Sequence, residues 1–137
     1  LFGNTPKAMA FWGGKAPMIG TNPIAFAAPL GHGPPLVIDL ALSVAARGKV
    51  MAAKKSGERI PADWAFDADG KPTTDPAAAL NGSMAPLGGA KGAALALMIE
   101  VVAAALTASN FGFEASSFLD GEGPPPDVGH IFIAIDP

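Results

Sequence analysis

The chain contains no cysteine, which excludes disulfide bonds, thiolate metal sites and a cysteine nucleophile. The lack of disulfides agrees with a cytoplasmic protein, since disulfides persist mainly in oxidising compartments. Histidine is also scarce: His32 and His130 lie far apart in the sequence and do not predict a zinc site. The first residues lack the basic segment and apolar run of a secretory signal.

Charged residues make up only 15% of the chain, the net charge is -3 and the isoelectric point is about 5.2. This balance lacks the excess of basic residues that is typical of a nucleic-acid-binding surface. Hydrophobic residues make up 50% of the 137 residues, which favours one folded domain with a core over a disordered chain. The sequence starts at Leu1 rather than at methionine and ends after a predicted strand over residues 130–135. We therefore expect a piece of a longer protein.

Common motifs of cofactor sites and nucleophiles are absent. Lys91 follows Ala90 and precedes Gly92, whereas a P-loop requires Gly-Lys followed by Ser or Thr. Gly88, Gly89 and Gly92 do not match the spacing of a Rossmann fingerprint. No nucleophile elbow is present, although the composition leaves a Ser-His-Asp triad open.

The most apolar segment, residues 86–109, predicts a helix over residues 93–106. Alanine and leucine dominate it, and both are strong helix formers. Four larger apolar residues fall on one face at helical spacing: Leu95, Ile99, Val102 and Leu106. The opposite face is mostly alanine, so we expect a helix that is buried on several sides. Its length and the presence of Glu100 favour a core helix over a membrane span.

The glycine-rich turn before this helix, residues 86–92, has two interpretations. Glycines let backbone N–H groups approach a ligand, and a helix N-terminus with Lys91 nearby would suit a phosphate or carboxylate. The alternative is a tight loop with a solvent-exposed lysine. The pattern favours the tight loop, because short motifs often match by chance.

Two apolar runs, residues 24–28 and 36–40, predict strands joined by a loop over residues 29–35. The second run is apolar on both faces, which indicates a strand covered on both sides. Asp39 lies near its end, where an ionised carboxylate must be paired or hydrogen-bonded. The residue types leave two roles open: a cap or turn residue, or a carboxylate that orients a catalytic histidine.

Two further helices are predicted. The first covers residues 41–56, with Ser43 as its cap, Gly57 as its terminator and solvated charges at Arg47 and Lys49. The second is a short helix over residues 77–80, capped by Asp75 and preceded by proline.

Six pieces, in order over nearly the whole chain, resemble the malate/L-lactate dehydrogenase family. They are GTNPIAF at 20–26, VIDLALS at 37–43, ARGK at 46–49, IP and WA within 60–65, GKPTTDP at 70–76, and GGAKG with LALM within 88–98. This non-Rossmann family includes ureidoglycolate and sulfolactate dehydrogenases and piperideine-2-carboxylate reductases.

The resemblance implies an α/β fold with a mixed, mostly antiparallel sheet flanked by helices. It implies an oxidoreductase that transfers a hydride between NAD or NADP and a small 2-hydroxy or 2-imino acid, as a homodimer. Residues 1–137 would form a single, partial cofactor-binding domain of a longer dehydrogenase, inactive in isolation. The alternative is a non-catalytic assembly or binding module, in which helix 93–106 serves subunit contacts.

The resemblance also implies site residues. Asp39 matches the carboxylate that partners the family's acid/base histidine, which belongs to an N-terminal part not included in this sequence. Thr21 and Asn22 lie where the family brings the chain near the nicotinamide and substrate. Further cofactor contacts are implied for the loop residues Pro29, Leu30, Gly31 and His32. The expectation for Asp39 depends on its being held inside the sheet, so an exposed side chain remote from any cleft would count against it.

Overall fold

The computed structural model describes residues 1–136. The strands are β1 (Phe2–Gly3), β2 (Met9–Ala10), β3 (Pro17–Ile19), β4 (Ile24–Ala28), β5 (Leu36–Leu40), β6 (Ala65–Phe66), β7 (Ser83–Met84) and β8 (His130–Ile131). The helices are α1 (Arg47–Ser56), α2 (Pro76–Asn81) and α3 (Ala90–Ala103), and a 3₁₀ turn (Ala105–Thr107) follows α3.

The main sheet has the strand order β5-β4-β1-β8, and its neighbouring strands are antiparallel. β4 and β5 form a hairpin whose register runs from Ile24 opposite Leu40 to Ala28 opposite Leu36. Both strands lie where the sequence predicts them. Because α3 packs against β1 and β8, the predicted architecture of a mostly antiparallel sheet flanked by helices is confirmed.

The hydrophobic core draws on strands, loops and helices. Its largest fully buried apolar side chains are Met9, Ile19, Leu42, Val50, Met84 and Ile99. α1 and α2 pack against each other. The predicted cap of α2 is confirmed: the Asp75 carboxylate accepts a hydrogen bond of 2.9 Å from the backbone N–H of Ala77.

The buried face of α3 consists mainly of small residues rather than the larger ones predicted. Its buried residues are Gly92, Ala93, Ala96, Ile99, Glu100 and Ala103. Leu95 is 36% exposed and Leu106 is 73% exposed, so the predicted face is wrong at both ends. The buried face is the one that packs against β1, β3 and β8. The helix also begins in a tight local turn, since a Cβ added to Gly92 would lie 1.7 Å from the Leu87 carbonyl oxygen.

By length and composition, the segment Ala90–Thr107 could also cross a membrane. The core helix of a soluble protein meets the same condition. The inner face of α3 is buried against the sheet and carries the Glu100 carboxylate. We therefore interpret α3 as a core helix, as the sequence predicts. The expected burial on several sides is wrong for the described chain, because Leu97, Met98 and Val101 are exposed on its outer face.

The helix predicted over residues 41–56 is shorter at its beginning. α1 begins at Arg47, and Ser43 is not its cap, because the Ser43 hydroxyl donates to the Ala45 carbonyl. The preceding residues are held by neighbouring segments instead: the Leu42 N–H donates to the Thr21 carbonyl at 2.7 Å. The predicted terminator is confirmed, since Gly57 has a φ of 74°.

Two strand predictions need correction. All five residues of β5 are exposed, so the predicted coverage on both sides is wrong for the described chain. β5 is the edge strand and pairs with β4 alone in this sheet. β8 ends at Ile131 instead of reaching residue 135, because its partner β1 is only two residues long.

Candidate functional site

A cavity of about 360 Å³ opens beside Thr21, just before β4. Its polar lining residues are Thr5, Lys7, Thr21, Arg47, Ser117 and Asp120. Apolar side chains from the loop after α3, Phe118 and Leu119, complete the wall. Of the predicted site residues, Thr21 lines this cavity, so we take the cavity as the candidate site.

The Thr21 backbone is held on both sides. Its N–H donates to the Thr5 hydroxyl at 2.9 Å, and its carbonyl accepts from the Leu42 N–H at 2.7 Å. The Thr21 hydroxyl lies 3.5 Å from that of Thr5. A threonine side chain in this setting offers a fixed donor and acceptor to a ligand in the cavity.

Arg47 supplies a fixed positive charge, although the sequence predicts only a solvated one. Its Nη1 donates to the Lys7 carbonyl at 2.7 Å and its Nη2 to the Leu80 carbonyl at 3.1 Å. Desolvation by partial burial lowers the pKa of Arg47, and the negative charge of Asp120 opposes that shift. A guanidinium stays protonated in proteins, so the cavity can attract a carboxylate or phosphate.

The Asn22 side chain forms its hydrogen bonds inside the core and does not line this cavity. It is fully buried, and its Nδ2 donates to the Ala96 carbonyl at 2.8 Å and to Glu100 Oε2 at 2.7 Å. Its Oδ1 accepts from the Thr5 N–H at 3.2 Å. The amide of Asn22 therefore stabilises the fold beside the site.

Glu100 is the functional candidate that the sequence reasoning missed. The residue is only 2% exposed. It accepts from four N–H groups, those of Asn4 Nδ2, Gly20 N, Asn22 Nδ2 and Gly112 N. The signal was present in the sequence: a single carboxylate in an apolar helix must find buried partners.

The loop residues Pro29, Leu30, Gly31 and His32 are exposed at the far end of the hairpin. β4 separates them from Thr21 by about 14 Å of strand. They line neither the cavity beside Thr21 nor a second cavity beside Trp12. The structure therefore does not bring the loop and Thr21 into one site.

Asp39 is exposed, and the expectation that its carboxylate is held inside the sheet is wrong for the described chain. It lies opposite Ala25 in the hairpin, toward the end where Leu42 contacts Thr21. It lines neither cavity. This counts against the enzymatic interpretation as far as it depends on Asp39, so that interpretation needs independent support.

The glycine-rich turn fits the tight-loop interpretation. Gly88 and Gly89 both have a φ of 65°, which glycine adopts readily. Lys91 is exposed and lines neither cavity. The alternative of an anion site at this turn gains no support from the geometry.

Two relatives are similar over nearly the whole chain. A "(2R)-3-sulfolactate dehydrogenase (NADP(+))" from Chromohalobacter salexigens is 63% identical over 136 residues, covering 99% of this chain and 41% of that protein. A "Delta(1)-pyrroline-2-carboxylate reductase" from Ancylobacter novellus is 47% identical over 125 residues, covering 91% of this chain and 37% of that protein. The chain thus spans well under half the length of either relative.

A solved structure agrees. The crystal structure of a dehydrogenase from Sinorhizobium meliloti superposes with a TM-score of 0.87 at 41% identity, covering 93% of this chain and 37% of that one. The family model for malate/L-lactate dehydrogenase matches residues 1–137. The chain therefore belongs to the malate/L-lactate dehydrogenase family.

Proposed function

We propose that this chain is the cofactor-binding part of an enzyme that transfers a hydride between NAD or NADP and a small 2-hydroxy or 2-imino acid. The observation that carries the proposal is 63% identity, over 99% of the chain, to a protein named as a sulfolactate dehydrogenase. NADP is favoured because that protein's name includes it. The cofactor supplies the hydride, and the protein supplies binding and orientation.

The cavity beside Thr21 is the proposed seat for the anionic end of the substrate or cofactor. Lys7 and Arg47 supply positive charge, and the Thr21 hydroxyl supplies a fixed hydrogen-bonding group. A volume of about 360 Å³ suits a small acid or one part of a nucleotide. Both ligands carry the carboxylate or phosphate that a guanidinium binds well.

Asp39 keeps its proposed role as the partner of an acid/base histidine supplied by another part of the enzyme. A carboxylate in that position fixes the imidazole tautomer and steadies the imidazolium during proton transfer. The role requires that further residues of the enzyme cover β5, which is exposed in the described chain. Pro29, Leu30, Gly31 and His32 remain proposed cofactor contacts, reachable because their loop is exposed.

The decisive experiment uses the product of the complete reading frame. Oxidation of 3-sulfolactate with NADP+ or NAD+, and reduction of pyrroline-2-carboxylate with NADPH or NADH, are followed by nicotinamide absorbance. We expect turnover of at least one of these acids by the complete enzyme. The 137-residue chain alone is expected to give none. Failure to turn over these acids or other 2-hydroxy acids would overturn the proposal.

Subunit assembly is a second proposed function, favoured by the exposed apolar faces. β5 exposes Leu36, Val37, Ile38 and Leu40, and α3 exposes Leu97, Met98 and Val101. Clusters of exposed apolar residues such as those along β5 commonly mark a contact site. We propose a homodimer located in the cytoplasm. Light scattering on the complete protein would test the dimer. Association without any turnover would favour an assembly module over an enzyme.

A further inference from the structure

The carboxylate of Glu100 links α3 to the segment that forms one wall of the cavity. Gly20 N and Asn22 Nδ2 both donate to its Oε2 atom, at 3.4 and 2.7 Å. These two residues flank Thr21, which lines the cavity. Glu100 therefore holds the chain immediately before and immediately after the site residue.

The hydrogen bonds between Glu100 and this segment matter because Asn22 has an unusual backbone conformation. Its φ is 39°, in the left-handed region that most residues with a side chain avoid. Such a conformation persists when surrounding contacts over-determine it. Here the contacts are the three side-chain hydrogen bonds of Asn22, one of which ends on Glu100.

The other oxygen of Glu100 extends the link to two more segments. Asn4 Nδ2 and Gly112 N donate to Oε1, and Asn4 Oδ1 accepts from Gly129 N at 2.7 Å. The four donors are neutral amides, so the buried charge is stabilised by N–H dipoles. Removing an acceptor would leave buried donors without partners, which is more damaging than losing an exposed hydrogen bond.

We propose that Glu100 is a positioning residue for the site at Thr21, acting through Gly20 and Asn22. It touches no ligand: its carboxylate is buried and does not line the cavity. Its effect is to fix where the Thr21 hydroxyl points, and a small displacement of a positioning group can cost a large factor in rate. The inference rests on the proposed function, since it gives that site its supporting residue.

The first test needs no enzymatic activity. Amide hydrogen exchange is followed in the complete protein and in its Glu100→Gln variant, which places an NH2 group against the N–H donors. We expect exchange at Thr21 to rise about tenfold or more relative to the amides of α1, because opening becomes local. A uniform rise, or none, overturns the proposal.

A second variant covers the case in which Glu100→Gln does not fold. Asn22→Gly retains the freedom to adopt positive φ but removes the side-chain link to Glu100. It is expected to give the same local rise at Thr21. If Thr21 exchange stays coupled to that of α1, the positioning role is wrong.

The second test uses the complete enzyme. Glu100→Gln is expected to lower kcat/KM about tenfold or more, whereas Ile99→Val, a buried change on the same helix, leaves it nearly unchanged. In a Thr21→Val background the further loss should fall below about twofold, because Glu100 acts through Thr21. Equal losses in both backgrounds contradict the inference. If the complete wild-type protein turns over no acid, the proposed function fails and the exchange result alone decides the positioning role.

Discussion

The polar side chains differ in whether their hydrogen-bonding groups already have partners within the chain. Within residues 1–136, every fully buried side-chain nitrogen or oxygen has a hydrogen-bond partner. Asn22 and Glu100 belong to this satisfied set, and their role is to hold the backbone beside the cavity. Asp39 and His32 are exposed. Any chemistry at these two residues depends on groups that bind to them from elsewhere.

Asp39→Asn separates a catalytic role from a structural one. In the isolated chain the side chain is exposed, so we expect the free energy of unfolding to change by less than about 0.5 kcal/mol. In the complete enzyme we expect kcat to fall by a factor of about 10² to 10⁴, the usual loss when acid/base catalysis is impaired. Urea unfolding and steady-state kinetics measure the two effects. Asp63→Asn, also exposed, is the control, and unchanged kcat in Asp39→Asn would contradict the assigned role.

Arg47 allows charge and geometry to be tested separately at the cavity. Arg47→Gln removes the guanidinium, so KM for the acid substrate or cofactor should rise about 10- to 100-fold, the worth of a charge-assisted hydrogen bond. Arg47→Lys keeps the charge without the planar fork and should give an intermediate KM. Lys49→Gln removes an exposed charge from the same helix, outside the cavity lining. A KM in Arg47→Gln equal to that of Lys49→Gln would rule out the anion site.

At the scale of elements, local patterns predict the existence of strands and helices better than they predict which face is buried. The apolar runs at residues 24–28 and 36–40 predict two strands, and Asp75 predicts a helix cap. The buried face of α3 could not be predicted, because it depends on which side of the helix packs against β1, β3 and β8, strands that lie far from α3 in the sequence. Likewise residues 41–46 favour a helix by propensity but hydrogen-bond to neighbouring segments instead.

The same limit applies to the site. Thr21 was identified through the family resemblance, and it does line the cavity. The sequence reasoning treated Arg47 as solvated and Glu100 only as a mark against a membrane span. Their partners are separated from them along the chain, Glu100 from Asn4 by 96 positions. Helical spacing carries no information about such contacts, so the support of the site emerges only from the fold.

Gly92→Ala tests the close packing at the beginning of α3. A Cβ there would lie 1.7 Å from the Leu87 carbonyl oxygen, so the turn must shift, and we expect a loss of about 2–3 kcal/mol or more in the free energy of unfolding. Gly48→Ala is the matched control in α1, where an added Cβ meets nothing within 4 Å. It should be neutral or stabilising by about 0.5–1 kcal/mol. Equal urea midpoints for the two variants would show that the contact at Gly92 is not tight.

On the scale of the whole molecule, the chain combines a satisfied core with large exposed apolar faces. The core residues are well buried, yet both strands of the hairpin expose apolar side chains, including Phe26 at 54% and Val37 at 62%. A monomer seldom exposes contiguous apolar surface of this kind. The chain spans 41% of the length of its sulfolactate dehydrogenase relative. We therefore expect the hairpin to be buried in the complete protein.

The isolated chain should consequently associate through β5, whose unpaired edge and apolar side chains favour strand-to-strand contact. Val37→Lys places a charge in the middle of this edge, which should shift the chain toward monomer at the same concentration. Ala62→Lys adds the same charge at an exposed loop position outside the hairpin and controls for net charge. Sedimentation velocity across a concentration series measures the effect. A wild-type chain that stays monomeric throughout, or equal dissociation in both variants, would show that the edge of β5 is not the contact, and the exposed outer face of α3 would then be the surface to test.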